Sequence, residues 1–304
     1  WTGSIANTNN NNLPFAHNRG NMIVINNIWG VNEYLGRYVV ENWDQNRTTN
    51  TFNITSTGDL LTSATGYKYG DFNGNGQTDI LKIKDNKWST IPLNIGSFTE
   101  DWQQVNTSTA DPTLLKVGCF NNDSKSDIFY GNGSTWRYAS GATGNWITYA
   151  TSNASPIRLG RFHRNGYSDY IWDVFYSNSS TWSVSHDGSS WQQINTSSAD
   201  KNFLRLGDFN GDGISDVFYA YGPSTNTWKV SYSGTNNFVT INNSGYSAYD
   251  VILADFDQDN STAGITDVIA NNGQYQISIG GTSSWTPLFT SNFPRSSFGY
   301  GNLK

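Results

Sequence analysis

The stretch GDFNGDGISDVF, residues 207–218, decides the fold. Carboxylate and amide side chains alternate with glycines in its first half, and an apolar run at residues 217–220 follows Asp216 directly. Asp, Asn and Gly favour tight turns, whereas a short apolar run bounded by such residues is typical of a buried strand. We therefore predict an oxygen-rich loop followed by a strand over residues 216–220.

The same pattern recurs along the chain. Its other copies are GDFNGNGQTDI (70–80), GCFNNDSKSDIFY (118–130), GRFHRNGYSDYIW (160–172), ADFDQDNSTAGITDVI (254–269) and a worn copy, FAHNRGNMIV (15–24). The phenylalanines of successive copies lie 57, 48, 42, 47 and 47 residues apart. That period fits a four-stranded propeller blade.

Each unit carries further strand signals. A tryptophan-centred alternating segment follows the motif, as in STWSVSHDG (180–188), and a further signature such as WQQINTSS (191–198) comes next. With the strand that leads into the motif and the strand that follows it, each unit has four strands, and no segment keeps a helical period. We predict an all-β protein in which residues 1–304 form a single β-propeller domain of four-stranded antiparallel blades.

The two ends of the chain bear on the number of blades. Six units are counted, and seven blades are the alternative. WTGSIANT (1–8) is similar to a fourth strand, and FGYGN (298–302) is similar to a worn first strand. Because a propeller must join its first and last blades without an open edge, we expect closure by a terminal strand.

The motif loops have the composition of calcium sites. Ca²⁺ prefers six to eight oxygen ligands, which carboxylates, amides and a main-chain carbonyl at the seventh position supply. Three loops fit this pattern: Asp71, Asn73, Asn75, Gln77 and Asp79; Asp208, Asn210, Asp212, Ile214 through its carbonyl, and Asp216; and Asp255, Asp257, Asp259 and the displaced Asp267. We expect about three structural Ca²⁺ ions, although turns rich in Asp and Asn also form without a metal.

Two further copies depart from this composition. In the copy at 118–130 Asp123 and Asp127 remain, but Cys119 replaces the first ligand and Lys125 adds a cation, so a calcium site there is doubtful. In the copy at 160–172 basic residues replace the acids, which predicts a lost site. The worn copy at 15–24 is counted as lost as well.

Composition and charge exclude several classes of function. The formal net charge is -6 with a sequence pI near 4.9, and the absence of a Lys/Arg cluster argues against nucleic-acid binding. No apolar run approaches the length of a membrane span. The single cysteine, Cys119, cannot form an internal disulfide and is interpreted as a core residue. Since the sequence starts at Trp1 without a leader, we expect a mature secreted protein.

The motif resembles a known repeat. The pattern GDFNGDGxSDVF, as at residues 207–218, is similar to the FG-GAP or VCBS repeat of integrin alpha-subunit propellers and of many secreted bacterial and fungal proteins. The resemblance implies a propeller with calcium bound by the loop residues named above. Because that family includes an integrin-like mushroom lectin, accessory domains of hydrolases and toxins, and adhesion proteins, it implies a fold and not a function.

Carbohydrate binding is the first functional hypothesis. The chain has 12 Trp, 17 Tyr and 16 Phe, whose flat faces can stack on sugars, and repetition would make such sites multivalent. The third-strand tryptophans Trp136, Trp182 and Trp228 follow polar turns and are the candidates for exposed platforms. The fourth-strand tryptophans are expected to pack between blades: Trp102, Trp146, Trp191 and Trp285. The expected partners are glycans or glycoproteins, with the oligomeric state left open.

Two alternatives remain. A polysaccharide lyase or hydrolase could use His163, Arg164 and Tyr167, because a His/Tyr pair beside arginines can abstract a proton next to a uronate carboxylate. A basic patch in place of an ion is the simpler interpretation of these residues. Since the three histidines are far apart in sequence, the sequence does not predict a histidine metal site. A protein-recognition propeller of an adhesion or toxin assembly is the other alternative.

Overall fold

The structure is a computed structural model that describes residues 21–29, 34–42, 66–75, 79–92, 102–121, 123–163, 171–222, 227–254, 265–272, 274–290 and 298–299. Regular structure in these residues consists of β-strands and short 3₁₀ turns. No helix among them is long and apolar enough to cross a membrane.

The strands form a hairpin followed by five blades. The hairpin consists of β1 (Asn21–Trp29) and β2 (Tyr34–Asn42). Blade 1 consists of β3 (Tyr67–Gly70), β4 (Asp79–Lys84), β5 (Lys87–Pro92) and β6 (Gln103–Thr107). Blade 2 consists of β7 (Leu115–Gly118), β8 (Asp127–Gly131), β9 (Thr135–Ala139) and β10 (Ile147–Thr151). Blade 3 consists of β11 (Ile157–Gly160), β12 (Asp173–Ser177), β13 (Thr181–Ser185) and β14 (Trp191–Thr196).

Two more blades and a terminal strand complete the described elements. Blade 4 consists of β15 (Leu204–Gly207), β16 (Asp216–Ala220), β17 (Trp228–Ser231) and β18 (Val239–Asn242). Blade 5 consists of β19 (Val251–Ala254), β20 (Asp267–Asn271), β21 (Gln274–Ser278) and β22 (Thr286–Thr290), and β23 (Phe298–Gly299) follows. The 3₁₀ turns are Pro112–Leu114, Ser140–Ala142, His186–Gly188, Lys201–Phe203, Tyr232–Gly234 and Ile279–Gly281.

Each blade is an antiparallel meander whose strands pair in sequence order. The first strands of successive blades contact one another and therefore line the centre of the array. In blade 4, Leu204 pairs with Tyr219 and Gly207 with Asp216, so the motif loop connects the first two strands at one end of the blade. We call this end the motif end. The other end, where the connection to the next blade runs, is the opposite end.

The motif end holds neighbouring blades together. The backbone N–H of Thr266, just before β20, donates to the carbonyl of Asp208 in blade 4 at 2.6 Å, and the Thr266 hydroxyl oxygen accepts from the Asp208 N–H at 2.7 Å. Ser126 makes the same pair of bonds to Asp71, and Ser215 to Arg161. The Ser or Thr before the last motif aspartate is therefore an interblade contact.

This contact explains the first glycine of the motif. A Cβ added at Gly207 would lie 2.8 Å from Thr266 Cγ2, and one at Gly70 would lie 2.6 Å from Ser126 Cβ. Real Cβ atoms do not approach other atoms so closely, so the close approach of the next blade requires glycine.

Aromatic side chains fill the interior of the blades. In blade 4, Phe209 from the loop stacks on Phe218 from the second strand at 5.3 Å between ring centroids, and Phe218 contacts Trp228 edge-on. Phe162 stacks on Phe175 in the same way in blade 3. The single cysteine is buried, as the sequence predicts. The motif aromatic is thus a core residue.

The predicted number of blades is wrong. Five sheets have four strands in the described residues, instead of the six or seven blades expected. The first unit, which is the longest in sequence, gives a hairpin of two nine-residue strands, and β23 adds a third strand to it by pairing Phe298 with Val24 and Gly299 with Ile23. The expected addition of a C-terminal strand to the first unit does occur. The first unit differs from the others because its motif is followed by a hairpin of long strands. The strand that pairs with the other edge of β1 comes from the C-terminal part of the chain.

Candidate functional site

The blade 4 loop folds around its first aspartate. The Asp208 carboxylate accepts the backbone N–H groups of Gly211 at 2.8 Å and Gly213 at 2.7 Å. Both glycines have positive φ values, 71° and 77°, which side chains other than glycine rarely adopt. Further along, Asn210 Oδ1 accepts from the Asp212 N–H, so the side-chain oxygens of the loop lie close together.

The last aspartate of this loop is buried. Asp216 is 0% exposed; its Oδ2 accepts from the Phe209 N–H at 2.8 Å and its Oδ1 from the Ser233 N–H at 2.7 Å. Burial, together with the charges of Asp208 and Asp212, raises the pKa of Asp216 to about 7, against the effect of the two backbone hydrogen bonds. Burial also raises the pKa of Asp208. Three carboxylates in one partly buried loop are electrostatically costly unless a proton or a cation accompanies them.

The blade 1 loop has the same construction. Asp71 Oδ1 accepts from the N–H groups of Gly74 and Asn75, and Asp79 Oδ2 accepts from the Phe72 N–H at 2.9 Å. Asn73 donates through Nδ2 to Asp79 Oδ1 at 2.8 Å. Burial raises the pKa of Asp79 to about 7, with a contribution from the Asp71 charge. The structure therefore links the side chains of Asp71, Asn73 and Asp79 in one hydrogen-bonded loop and connects Asn75 to it through its backbone N–H, while Gln77 lies outside the described residues.

The loop of blade 2 is intermediate in character. Burial raises the pKa of Asp127 to about 6. At Asp123 burial acts in the same direction but is outweighed by hydrogen bonds, including one from the Ser140 hydroxyl at 2.8 Å, so its pKa falls below the ordinary value. Asp123 is therefore already stabilised as an anion by the protein, which fits the doubtful status that the sequence indicates.

The blade 5 loop is described only at its end. Asp267 is 0% exposed and its Oδ1 accepts from the Gly280 N–H at 2.7 Å, which matches the bond from Ser233 to Asp216 in blade 4. Asp255, Asp257 and Asp259 lie outside the described residues, so the predicted set in this loop stays a prediction.

The blade 3 loop differs from the sequence interpretation. Its second strand begins at Asp173, not within the motif assigned to residues 160–172, because extra residues separate the loop from the strand. His163 from the loop contacts Asp173, and so does His186, which lies beyond the third strand. Two of the three histidines therefore meet in the structure, although the sequence did not predict a histidine metal site. The repeat of DVFY at 173–176 and 216–219 is the signal that could have found Asp173.

The predicted catalytic set is described in part. His163 lies in the loop, with its Nδ1 2.8 Å from Asp173 Oδ1. Arg164 and Tyr167 lie outside the described residues, so a His/Tyr pair stays a prediction.

The prediction that three third-strand tryptophans form exposed platforms for sugars is wrong. Trp136, Trp182 and Trp228 are 1%, 0% and 0% exposed. An aromatic side chain of the following blade covers each of them edge-on at 5.4 Å: Trp191 on Trp136, Phe238 on Trp182, and Trp285 on Trp228. The two sets of in-phase aromatics are partners in one interblade contact, which a linear sequence does not reveal.

An aromatic patch lies at the opposite end of blades 4 and 5. It consists of Phe203, Tyr221 and Tyr249, with the Phe203 ring centroid 4.7 Å from that of Tyr221 and 5.1 Å from that of Tyr249. Tyr221 is 42% exposed and Tyr249 51% exposed. The guanidinium of Arg205 lies 5.1 Å from the Tyr249 ring centroid. Two tyrosine faces and a cation thus border one solvent-facing surface.

This patch departs from the repeat. Tyr221 directly follows the second strand, where blades 2, 3 and 5 have Asn132, Asn178 and Asn272. In those blades the asparagine side chain accepts backbone N–H groups of the next turn, such as Thr181 N–H to Asn178 Oδ1 at 2.7 Å. The departure is visible in the sequence once the blades are aligned.

The centre of the array is basic. Four successive first strands place a cationic residue at their second position: Lys68, Lys116, Arg158 and Arg205. Burial lowers the pKa of Lys68 to about 8 and that of Arg158 to about 10, and in each case the next cation in the row contributes. This row was missed because its members are about a blade apart in sequence.

Comparisons with known proteins agree with the fold. No family model and no curated protein matches the chain. Among solved structures, it is similar to an Agrocybe aegerita lectin described as specifically recognising non-reducing terminal N-acetylglucosamine, with 15% identity and a TM-score of 0.55 over 90% of this chain and 77% of the lectin. It is also similar to a Bifidobacterium bifidum protein described as a proposed exo-beta-1,3-galactanase, with 12% identity and a TM-score of 0.44 over 78% of this chain and 95% of that one. At these identities the likeness shows the propeller fold alone.

Proposed function

We propose that this chain is a secreted, calcium-stabilised propeller that binds glycans and catalyses no reaction. The observation that carries the proposal is the aromatic patch of Phe203, Tyr221 and Tyr249 at the opposite end of blades 4 and 5. Exposed tyrosines stack on the apolar C–H faces of sugar rings, and their hydroxyls fix sugar hydroxyls. Arg205, whose Nη1 donates to the carbonyls of Asn202 and Leu204, places a positive charge beside the Tyr249 ring.

The similar fungal lectin supports this choice of ligand. Its match extends over 90% of this chain, so a known sugar-binding protein has the same overall architecture. A glycan ending in N-acetylglucosamine is therefore the first ligand to test. Because one patch offers a shallow surface, we expect weak binding at a single patch and a strong gain on multivalent display.

Calcium is assigned to the motif end. The blade 1 and blade 4 loops offer carboxylate and amide oxygens, which are the donors that Ca²⁺ prefers. The raised pKa values of Asp79 and Asp216 support an ion there, because a bound cation would relieve the repulsion among the loop carboxylates. Calcium sites of extracellular modules suit the high calcium concentration outside cells, so calcium in these loops is consistent with secretion.

A glycan array tests the proposal. We expect the wild-type chain in calcium to bind a restricted set of glycans, and the Tyr221→Asn variant, which introduces the residue of the other blades, to lose that binding. Val239→Asn is the matched control, because Val239 is 48% exposed on the fourth strand of the same blade. Binding to no glycan at all would refute the proposal. If Tyr221→Asn bound glycans as well as the wild type does, the aromatic patch would not be the glycan site.

Repeating the measurements in a chelator tests the role of calcium separately from glycan binding. If calcium is structural, removing it lowers the melting temperature, and glycan binding persists at temperatures where the chain stays folded. An unchanged melting temperature in chelator would remove calcium from the proposal without affecting the glycan site.

A further inference from the structure

Three side chains from separate parts of blade 3 converge at the motif end. His163 lies in the loop after β11, Asp173 begins β12, and His186 begins the 3₁₀ turn after β13. His163 Nδ1 lies 2.8 Å and His186 Nδ1 3.0 Å from Asp173 Oδ1. The two Nδ1 atoms are 3.0 Å apart. One carboxylate and two imidazole nitrogens therefore face a common point.

The position of this cluster in the repeat is informative. Asp173 occupies the place of Asp216, and His163 the place of Asn210 in the blade 4 loop. His186 occupies the place of Tyr232, the first residue of the equivalent 3₁₀ turn. His163 thus replaces a loop amide by a nitrogen donor, and His186 adds a second nitrogen donor from the neighbouring 3₁₀ turn.

We propose that His163, Asp173 and His186 bind a divalent transition-metal ion of the Zn²⁺ class. Two imidazoles and a carboxylate are a common ligand set for such ions, whereas Ca²⁺ prefers oxygen alone. Ligands of a tetrahedral Zn²⁺ lie about 2.1 Å from the metal and so about 3.4 Å from one another. The three donor atoms need to separate by only a few tenths of an ångström to meet this geometry.

The surroundings leave room for an exchangeable ligand. The Asp173 side chain is 0% exposed, while those of His163 and His186 are 15% and 25% exposed. The carboxylate is thus held at the base of the site, where its Oδ2 also accepts the Phe162 N–H at 2.6 Å. Solvent reaches the histidine side, so water can complete the coordination of the ion.

The alternative is a hydrogen-bonded cluster that holds protons instead of a metal. Both accounts place the same atoms close together, so a binding measurement must decide between them. The repeat supplies mild substitutions for this purpose. His163→Asn and His186→Tyr each introduce the residue found at the same place in blade 4, and His17→Asn changes the third histidine of the chain, which lies outside the described residues.

The experiment is a titration of the dialysed full chain with Zn²⁺ against a chromogenic chelator in excess Ca²⁺, with Co²⁺ absorption as a second readout. We expect one tight site in the wild type and in His17→Asn, a tetrahedral Co²⁺ spectrum, and affinity at least about 100-fold weaker in His163→Asn and His186→Tyr. Equal affinity in all four proteins, or no tight site, would overturn the proposal and leave the proton-bound cluster. Melting temperatures without metal confirm that each variant is folded.

Discussion

The two ends of the blades differ in how strictly they repeat. At the motif end, each of the five described blades begins its second strand with a buried aspartate, namely Asp79, Asp127, Asp173, Asp216 and Asp267. At the opposite end the turns vary, and Tyr221 replaces an asparagine that three other blades keep. The repeated end is joined to neighbouring blades by backbone hydrogen bonds, while the aromatic patch faces solvent.

This difference distinguishes residues that hold the blades together from residues that bind a ligand. A residue that every blade uses for the same contact serves the ring as a whole, since each blade must contact its neighbours. A departure from the repeat has no such general reason and needs a local one. His163 and His186 are departures at the motif end, and Tyr221 is a departure at the opposite end. Changes to the repeated residues should therefore cost stability, and changes to the departures should cost binding.

The largest effect is expected from removing the buried carboxylate of blade 4. Asp216→Ala leaves the N–H groups of Phe209 and Ser233 without their acceptor. The loss of the acceptor for one buried and one partly buried donor costs roughly 2–6 kcal/mol of unfolding free energy. Chemical denaturation in chelator measures the loss. Asn210→Ala, at an exposed position of the same loop, is the control and should change stability in chelator by less than about 0.5 kcal/mol. Similar losses in the two variants would argue against this role of Asp216.

A smaller loss of stability is expected from adding a side chain where two blades approach closely. The added Cβ of Gly207→Ala would lie 2.8 Å from Thr266 Cγ2 and 2.9 Å from Phe209, so we expect a loss of about 1–3 kcal/mol. In the control Gly144→Ala the nearest atom is 3.6 Å away, and stability should hardly change. Thermal unfolding of both variants tests this, and equal melting temperatures would show that the blades do not need the close approach.

The third effect is a pH dependence of the stabilisation by calcium. The pKa values of Asp79 and Asp216 rise from 3.8 to about 7 on folding without an ion. The folded chain then holds more protons than the unfolded chain between about pH 4 and pH 7, so stability in chelator should fall as the pH rises through this range. Calcium binds the deprotonated carboxylates, so its stabilisation should grow over the same range. Melting temperatures with calcium and with chelator at about pH 5 and pH 7.5 measure this, and an equal calcium shift at both would contradict it.

The sequence predicted the repeated features well. The strand expected over residues 216–220 is β16 (Asp216–Ala220), and the C-terminal strand does join the first unit. These features follow from local signals, a glycine-rich turn before an apolar run, that recur at a regular spacing. A local pattern seen several times in phase is strong evidence because each copy tests the others.

The contacts between residues distant in sequence were predicted only in part. Trp191 was expected to pack between blades and does so, but its partner Trp136 was assigned to a solvent-exposed role. His163 and His186 are 23 residues apart and meet because the third strand returns to the motif end. The Thr266 contact with Asp208 spans 58 residues. Linear periodicity gives the blades but not which faces of adjacent blades touch.

The most direct test of the division between scaffold and recognition is a calorimetric titration of the best array glycan into wild type and Tyr221→Asn in saturating calcium. The account predicts an affinity at least about tenfold weaker in the variant, since a lost stacking contact costs of the order of 1.4 kcal/mol, with an unchanged melting temperature. Equal affinities would contradict the account, because recognition would then lie away from the aromatic patch.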